Sequence, residues 1–566
     1  MNDKPLLILP RPSRANWQRK GHQVGKPHFP SPERQRTRIT PQFERLESAL
    51  EARRLILQQA PEGAAPEQVL VLEIVGTIQD FLVAVRGIPG MEWLGEWEEE
   101  DIPPDEDFFL DEKHKDKALG GRLFLVMTDH RATQELLSLW QRYQKNPEIK
   151  FGYGRNKWRE LFQQLRTIRF WEVQDRLLET GVLEDWKERI RAGEENIRFE
   201  AELWFRNNTQ QQQKSHQTFE TLLQQAGGRL ISQTVIPEIA YQGLLAELPI
   251  KAIQSILENP DTSLVQCDQV MFFRATGQST AVAPEDEPLI DSEPIEDMIK
   301  PQGAPVVALL DGLPVENHLW LNGRLLIDDP DNWSAEYLAQ NRHHGTAMAS
   351  LILHGELDDH EQSLARPLYV RPILKPDMRD WRSPKAETMP ENVLPVDLIH
   401  RAVRRLFDGE GSLSPVSPDV CVINFSIGDP ARQFDRFMSP MARLLDWLAW
   451  CYQVLFVVSA GNHSHDLVLD VPRASLAQIT PNELENETIK AIARDARHRR
   501  LLAPAESVNA LTVGALHADH SKPEEHDRRI NPFHSNDLPS PTKKWCGRRS
   551  RAVNFMIDGF QKYCSS

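Results

Sequence analysis

Cysteine is scarce and carries no pattern. The five thiols, Cys267, Cys421, Cys451, Cys546 and Cys564, form no CxxC pair and no metal-ligand spacing. Neither a disulfide framework nor a cysteine-held metal is expected, and free thiols fit a reducing compartment. Long apolar runs are missing too. The N-terminal run is only Leu6 to Leu9, far short of a signal-peptide core. Nothing approaches the ~20 apolar residues that span a bilayer; the most apolar region, Trp447 to Ala460, is broken by Gln453 and reads as a helix end followed by a strand. The expected location is cytoplasmic, with no membrane partner. Excess positive charge is also lacking: the formal charge is -16, which argues against general nucleic-acid binding. No GxGxxG or GxxxxGKS/T motif occurs, which removes the common nucleotide-cradling loops.

What is present is ordinary for a soluble globular chain: 566 residues, 40% hydrophobic and 26% charged, enough for roughly two to four domains. The first 45 residues hold ten Lys or Arg against three Asp or Glu, and residues 1–60 read as a basic, partly disordered arm. Residues 66–150 then follow a β-α-β-β-α order, that of a small ferredoxin-like α+β module. Inside it, ten carboxylates among residues 96–112 read as an exposed acidic loop. Residues 151–195 read as a helical bridge, because Leu161, Phe162, Leu165, Ile168 and Trp171 recur at spacings of three and four. Residues 196–275 repeat the pattern as a second ferredoxin-like module, with strands at 197–205, 229–248 (a hairpin) and 263–273. Residues 276–303, rich in Pro, Asp and Glu, read as an acidic linker.

Beyond the linker four strand-like runs each end in a polar turn. PVVALLDG (305–312) ends at Asp311, VCVINFSIG (420–428) at Ser426, Ile427 and Gly428, VLFVVSAGN (454–462) at Asn462, and ALTVGAL (510–516) near His517. Helical segments at 396–407 and 439–452 lie between them. Continuous apolar strands alternating with helices predict a doubly wound, mostly parallel sheet in residues 304–540, with a site beyond the carboxyl ends of its strands. A helix is expected from near His344 to Gly355, with Ala347, Met348, Leu351 and Ile352 on its apolar face. A helix start disfavours imidazolium, so His344 needs a nearby carboxylate, which Asp311 can supply. His343 reads as a surface neighbour. His463, His465 and Asp466 read as a solvated loop, and Asp328-Asp-Pro-Asp331 as a turn.

The blocks Val306-Val-Ala-Leu-Leu-Asp311-Gly, His344-Gly-Thr-Ala-Met-Ala and Ser459-Ala-Gly-Asn462, in that order, resemble the Asp, His and oxyanion-Asn blocks of the subtilisin-like serine peptidases, the subtilases. Asn424-Phe-Ser426-Ile-Gly428 is similar to their substrate-binding strand. The resemblance implies a serine-type endopeptidase needing no cofactor. Asp311 and His344 would be its acid and base, Asn462 its oxyanion donor, and Ser426, Ile427 and Gly428 a peptide-pairing strand. It leaves two roles open for the second module, propeptide-like or generic adaptor domain, and implies a peptide or protein substrate and an ATPase partner of the kind found with such proteases in phage-defence systems.

One block is missing. No Gly-Thr-Ser sequence occurs anywhere in the chain, so no nucleophile is identified, and residues 541–566 form an atypical tail. Two explanations stay open: a chain truncated or frame-shifted after about Ser540, inactive as it stands, or a pseudo-peptidase that binds peptides or acts as an adaptor without cutting.

Overall fold

A computed structural model describes residues 27–57, 67–110, 115–152, 154–277, 280–281, 300–355, 363–434, 437–461, 468–472, 478–496 and 500–514. They divide into two compact units, parted between Glu172 and Val173.

The first unit begins with helix α1 (Pro32–Leu57), where a partly disordered arm was expected. Ile39, Phe43, Leu46 and Leu50 repeat at four, three and four residues, and this stripe is buried in the unit's core. Of the basic residues behind that expectation, Arg34, Arg36 and Arg45 lie on the helix and are exposed, off this stripe. Arg34 and Arg38 reach Asp107 and Asp105 at 2.9 and 3.2 Å. The acidic stretch is therefore no free loop: its first half belongs to a strand, and two of its later carboxylates bind α1.

That strand is β2 (Met91–Ile102). With β1 (Gln68–Val75), β3 (Leu119–Thr128) and β4 (Leu165–Phe170) it forms an antiparallel sheet in the order β2-β3-β1-β4. The helices are the short α2 (Phe81–Arg86), α3 (His130–Lys145) and α4 (Asn156–Gln164). The helical bridge is thus corrected: α4 stops at Gln164 and the chain continues as an edge strand. A bulge explains the misleading spacing. Leu165 pairs with Ile74 and Thr167 with Glu73, so Arg166 is the extra residue. Leu165 and Ile168, three apart, consequently face the same core.

In the second unit α5 (Val173–Leu177) and α6 (Val182–Ala192) precede the series β5 (Asn196–Leu203), α7 (Thr209–Gln225), β6 (Arg229–Ile236), β7 (Tyr241–Pro249), α8 (Ile250–Glu258) and β8 (Val270–Ala275). The sheet is antiparallel, ordered β6-β7-β5-β8. The last strand starts seven residues later than expected, because Leu264, Val265 and Cys267 enter the core from a turn instead of a strand.

The chain then forms β9 (Thr280–Ala281), β10 (Val307–Asp311), β11 (Leu325–Ile327), α9 (His343–His354), β12 (Leu368–Pro372), β13 (Lys375–Pro376), β14 (Glu387–Thr388) and α10 (Pro395–Phe407). After these come β15 (Val422–Phe425), β16 (Asp429–Gln433), α11 (Pro440–Tyr452), β17 (Leu455–Ser459), α12 (Pro481–Arg494), β18 (Leu502–Ala503) and β19 (Ala510–Val513). Six strands make a wholly parallel sheet, β11-β12-β10-β15-β17-β19. Alternation along β10 feeds two cores. Ala308 and Leu310 pack with residues of α10 and α11, whereas Leu309 packs with Ala349 and Leu353 of α9. Helices cover both faces, so the sheet is doubly wound as the apolar strands predict. Among the described residues no helix is long and apolar enough to cross a membrane.

The second antiparallel module docks on this sheet's helices. Ile236, Ile239 and Tyr241 are buried in the same core as α10 and α11. Buried Glu200 pairs with Arg432, and buried Glu202 with Arg443 of α11 as well as Arg274 of its own module.

Candidate active site

Parallel pairing aligns the carboxyl ends of β10, β15 and β17. Leu309 lies opposite Asn424, and Phe425 opposite Val458, so Asp311, Ser426 and the Ser459–Gly461 turn emerge side by side at one sheet edge. Asp311 is fully buried. Its Oδ1 accepts the Gly312 amide at 2.6 Å and the Nδ1–H of His344 at 2.6 Å.

Helix α9 brings the imidazole there, and each residue of the His-Gly-Thr run has a packing reason. Gly345 sits against Gly312: a Cβ on it would stand 2.1 Å from the Gly312 carbonyl oxygen. Gly312 in turn faces Glu387, whose Oε1 would lie 2.0 Å from an added Cβ. Thr346 Oγ1 accepts the Val315 amide at 2.9 Å and donates to the Arg342 carbonyl, fastening the loop after β10 to the helix start. The expected apolar face is rotated. The buried residues are Gly345, Ala349, Leu353 and His354, flanked by Met348 and Ile352, while Ala347 and Leu351 are exposed. Close approach at Gly345 sets that rotation, and a pattern of apolar residues does not record it.

Burial pulls the His344 imidazole toward the neutral form. The hydrogen bond and charge of Asp311, with the charge of Glu387, outweigh it, and the net shift is upward. Nδ1 is engaged, and the ring is 29% exposed, which leaves Nε2 for a reacting group. His343, as expected, is exposed, with its ring bonded to the Gln340 carbonyl.

Residues 302–538 match the family model of the Subtilase family. That segment belongs to the subtilase family. No curated protein matches the chain. A subtilase domain carries serine-type peptidase chemistry at the family level.

Within this subtilase domain Ser426, Ile427 and Gly428 extend past the paired part of β15. Ser426 Oγ donates to Asn424 Oδ1 at 3.0 Å, and Ile427 is buried. Gly428 lies 3.4 Å, measured from an added Cβ, from the Cα of Gly461 at the end of β17, and Gly461 has φ 114. Both glycines are hemmed by Leu502, so side chains there would push the strand ends apart. Asn462, His463, His465, Asp466 and His517 lie outside the described residues, as do residues 541–566. The Asp328–Asp331 run is tied up internally: Asp328 binds Arg405 and Tyr369, and Asp331 binds Arg371. Among the described residues no cluster of His, Cys, Asp or Glu could hold a metal ion.

Sequence reasoning passed over two residues of the site. Glu387 is buried on β14; its Oε2 accepts the His344 amide at 2.7 Å, and its Oε1 accepts the hydroxyl of buried Tyr337. Burial lifts the Glu387 carboxyl to about 7, against the lowering effect of Tyr337 and the His344 amide. No motif surrounds either residue, and nothing in Lys385-Ala-Glu387-Thr-Met separates a buried carboxyl from a surface one.

Proposed function

We propose that the chain is a serine-type endopeptidase of the subtilase family, working through Asp311 and His344 with Asn462 as oxyanion donor. The observation that carries this is the 2.6 Å contact between the His344 Nδ1–H and a fully buried carboxylate. Such a carboxylate fixes the tautomer and favours the imidazolium. Nε2 then takes the proton of a serine hydroxyl as it attacks a peptide carbonyl, and returns that proton to the leaving amine. The Asn462 side-chain amide would donate to the oxygen that becomes negative, an interaction worth about two to three powers of ten in rate where it has been removed from such sites. A peptide would lie along Ser426–Gly428 by backbone pairing.

We read residues 196–275 as a ferredoxin-like, propeptide-like module. The path βαββαβ with order β6-β7-β5-β8 supports the fold, and docking on α10 and α11 supports the role. The chain leaving it pairs through β9 with β14, the strand of Glu387. The first unit's sheet has the equivalent order and is read as a ferredoxin-like module as well.

A second reading rests on the missing Gly-Thr-Ser sequence: the same sheet binds peptides without cutting them. Fluorophosphonate labelling of the protein purified from its source separates the two. A modified serine, located by mass spectrometry and lost in His344→Ala, supports the peptidase. Peptide binding without any labelled serine supports the pseudo-peptidase.

A further inference from the structure

We propose that Glu387 is a positioning residue for His344: its carboxyl clamps the first turn of α9 to β14, so that the Asp311–His344 pair is gripped by one carboxyl at the ring and another at the backbone. The inference deepens the peptidase reading and rests on it.

The clamp is built from both sides. Oε2 takes the His344 amide at 2.7 Å, one of the amides that a helix start leaves without an internal partner. The residue before the helix, Arg342, makes no side-chain cap. Oε1 takes the hydroxyl of Tyr337, a ring only 1% exposed. Glu387 itself is 1% exposed, and the missing side chain of Gly312 makes its room. A carboxyl taken out of water to this extent persists where its bonds do something for the fold or the site, and these bonds lead directly to the residue whose ring is paired with Asp311.

The charge acts in the same direction as the geometry. The groups facing Glu387 are Asp311 from β10, His344 from α9 and Tyr337 from the turn before α9. On its own hairpin the Lys385 ammonium is spent on the Asp380 carbonyl, and Asp380 binds Arg382. No cation other than His344 is therefore set against Glu387 among the groups that shift it. Its negative charge favours imidazolium, as does that of Asp311, and the charge of Asp311 resists ionisation of Glu387.

The test is an NMR titration of His344 in labelled protein, with three variants. Glu387→Gln keeps the size and an acceptor for the amide but removes the charge. The His344 midpoint should fall by about one unit, with the downfield Nδ1–H resonance retained. Glu387→Ala removes the clamp as well, and that resonance should broaden or vanish, with Gln restoring it. A purely structural carboxyl would lower the melting temperature and leave the His344 midpoint in place; that result in Glu387→Gln overturns the proposal. If Glu387→Gln does not fold, Tyr337→Phe carries the test. Losing the hydroxyl favours protonated Glu387 and lowers the same midpoint, and an unchanged midpoint there counts against the proposal equally. Asp311→Asn separates the two levels of inference. If it leaves His344 unmoved, the peptidase reading falls; if it moves His344 and Glu387→Gln does not, only the clamp falls.

Discussion

Gly345 and Gly312 touch backbone to backbone: the α9 glycine after His344 lies where a Cβ would stand 2.1 Å from the carbonyl oxygen of the residue after Asp311. The glycine of each motif thus exists for the other. An added methyl cannot be absorbed, because the obstacle is the backbone carbonyl of Gly312, which is itself pressed against Glu387. Gly345→Ala should push α9 away from the end of β10 and lengthen the 2.6 Å Asp311–His344 contact. The expected loss is about 1–3 kcal/mol in urea unfolding, together with a lower His344 midpoint by NMR. An unchanged midpoint would show that the helix accommodates the methyl without moving the ring.

That contact also explains what was legible beforehand and what was not. Asp311 and His344 were readable because strand-end and helix-start positions are set locally, by the Val307–Asp311 apolar run and by the glycine after each residue. The parallel sheet was readable because strands buried on both faces leave continuous apolar runs. Glu387 was not, since its significance comes from a tertiary cavity opened by Gly312. Helix α1 was missed because the ten-to-three excess of basic residues over the first 45 positions concealed a four-residue stripe, although the 4-3-4 spacing was there to see. The α4–β4 junction was missed because a bulge at Arg166 gives a strand the spacing of a helix.

The site should make stability fall as pH rises through neutrality. Glu387 has a folded value of about 7 against 4.5 for an ordinary glutamate. An acid raised on folding contributes most below its unfolded value, and that contribution is lost as pH climbs to the folded one. His344 is likewise raised above 6.5, so its contribution is complete below that value and is lost above it. Both slopes have the same sign. Glu387→Gln should therefore flatten the decline between about pH 5 and 8 by on the order of 1–3 kcal/mol, read from urea midpoints across that range. A parent protein with no decline in this window would contradict both assignments.

Glu202 tests the docking of the second module. Burial alone would raise its carboxyl, but Arg443 and Arg274 outweigh this and the shift is downward. Its stabilisation is present above the unfolded carboxyl value and disappears as pH falls through the lowered one. Glu202→Gln leaves two guanidinium groups facing a neutral amide, with Arg274 almost wholly buried. The expected cost is about 3 kcal/mol near neutral pH, shrinking in acid. A variant as stable as the parent at pH 7 would mean that water compensates these arginines and that the ion pairs do not hold the module.

Phe43 tests the corrected reading of α1. Its ring stacks on Trp140 with centroids 4.8 Å apart and meets Phe162 edge-on at 6.2 Å, so it joins α1 to α3 and α4 at once. A solvated arm would lose nothing on truncation of this ring. A core helix would lose transfer energy and gain a cavity, together about 3–5 kcal/mol for Phe43→Ala, whereas exposed Glu47→Ala one turn on should change stability by less than about 0.5 kcal/mol. Thermal melts of the two variants decide between these descriptions, because only a packed α1 separates them. Because the lost contacts lie wholly in the first unit, the His344 titration should be the same in Phe43→Ala as in the parent wherever the variant is folded.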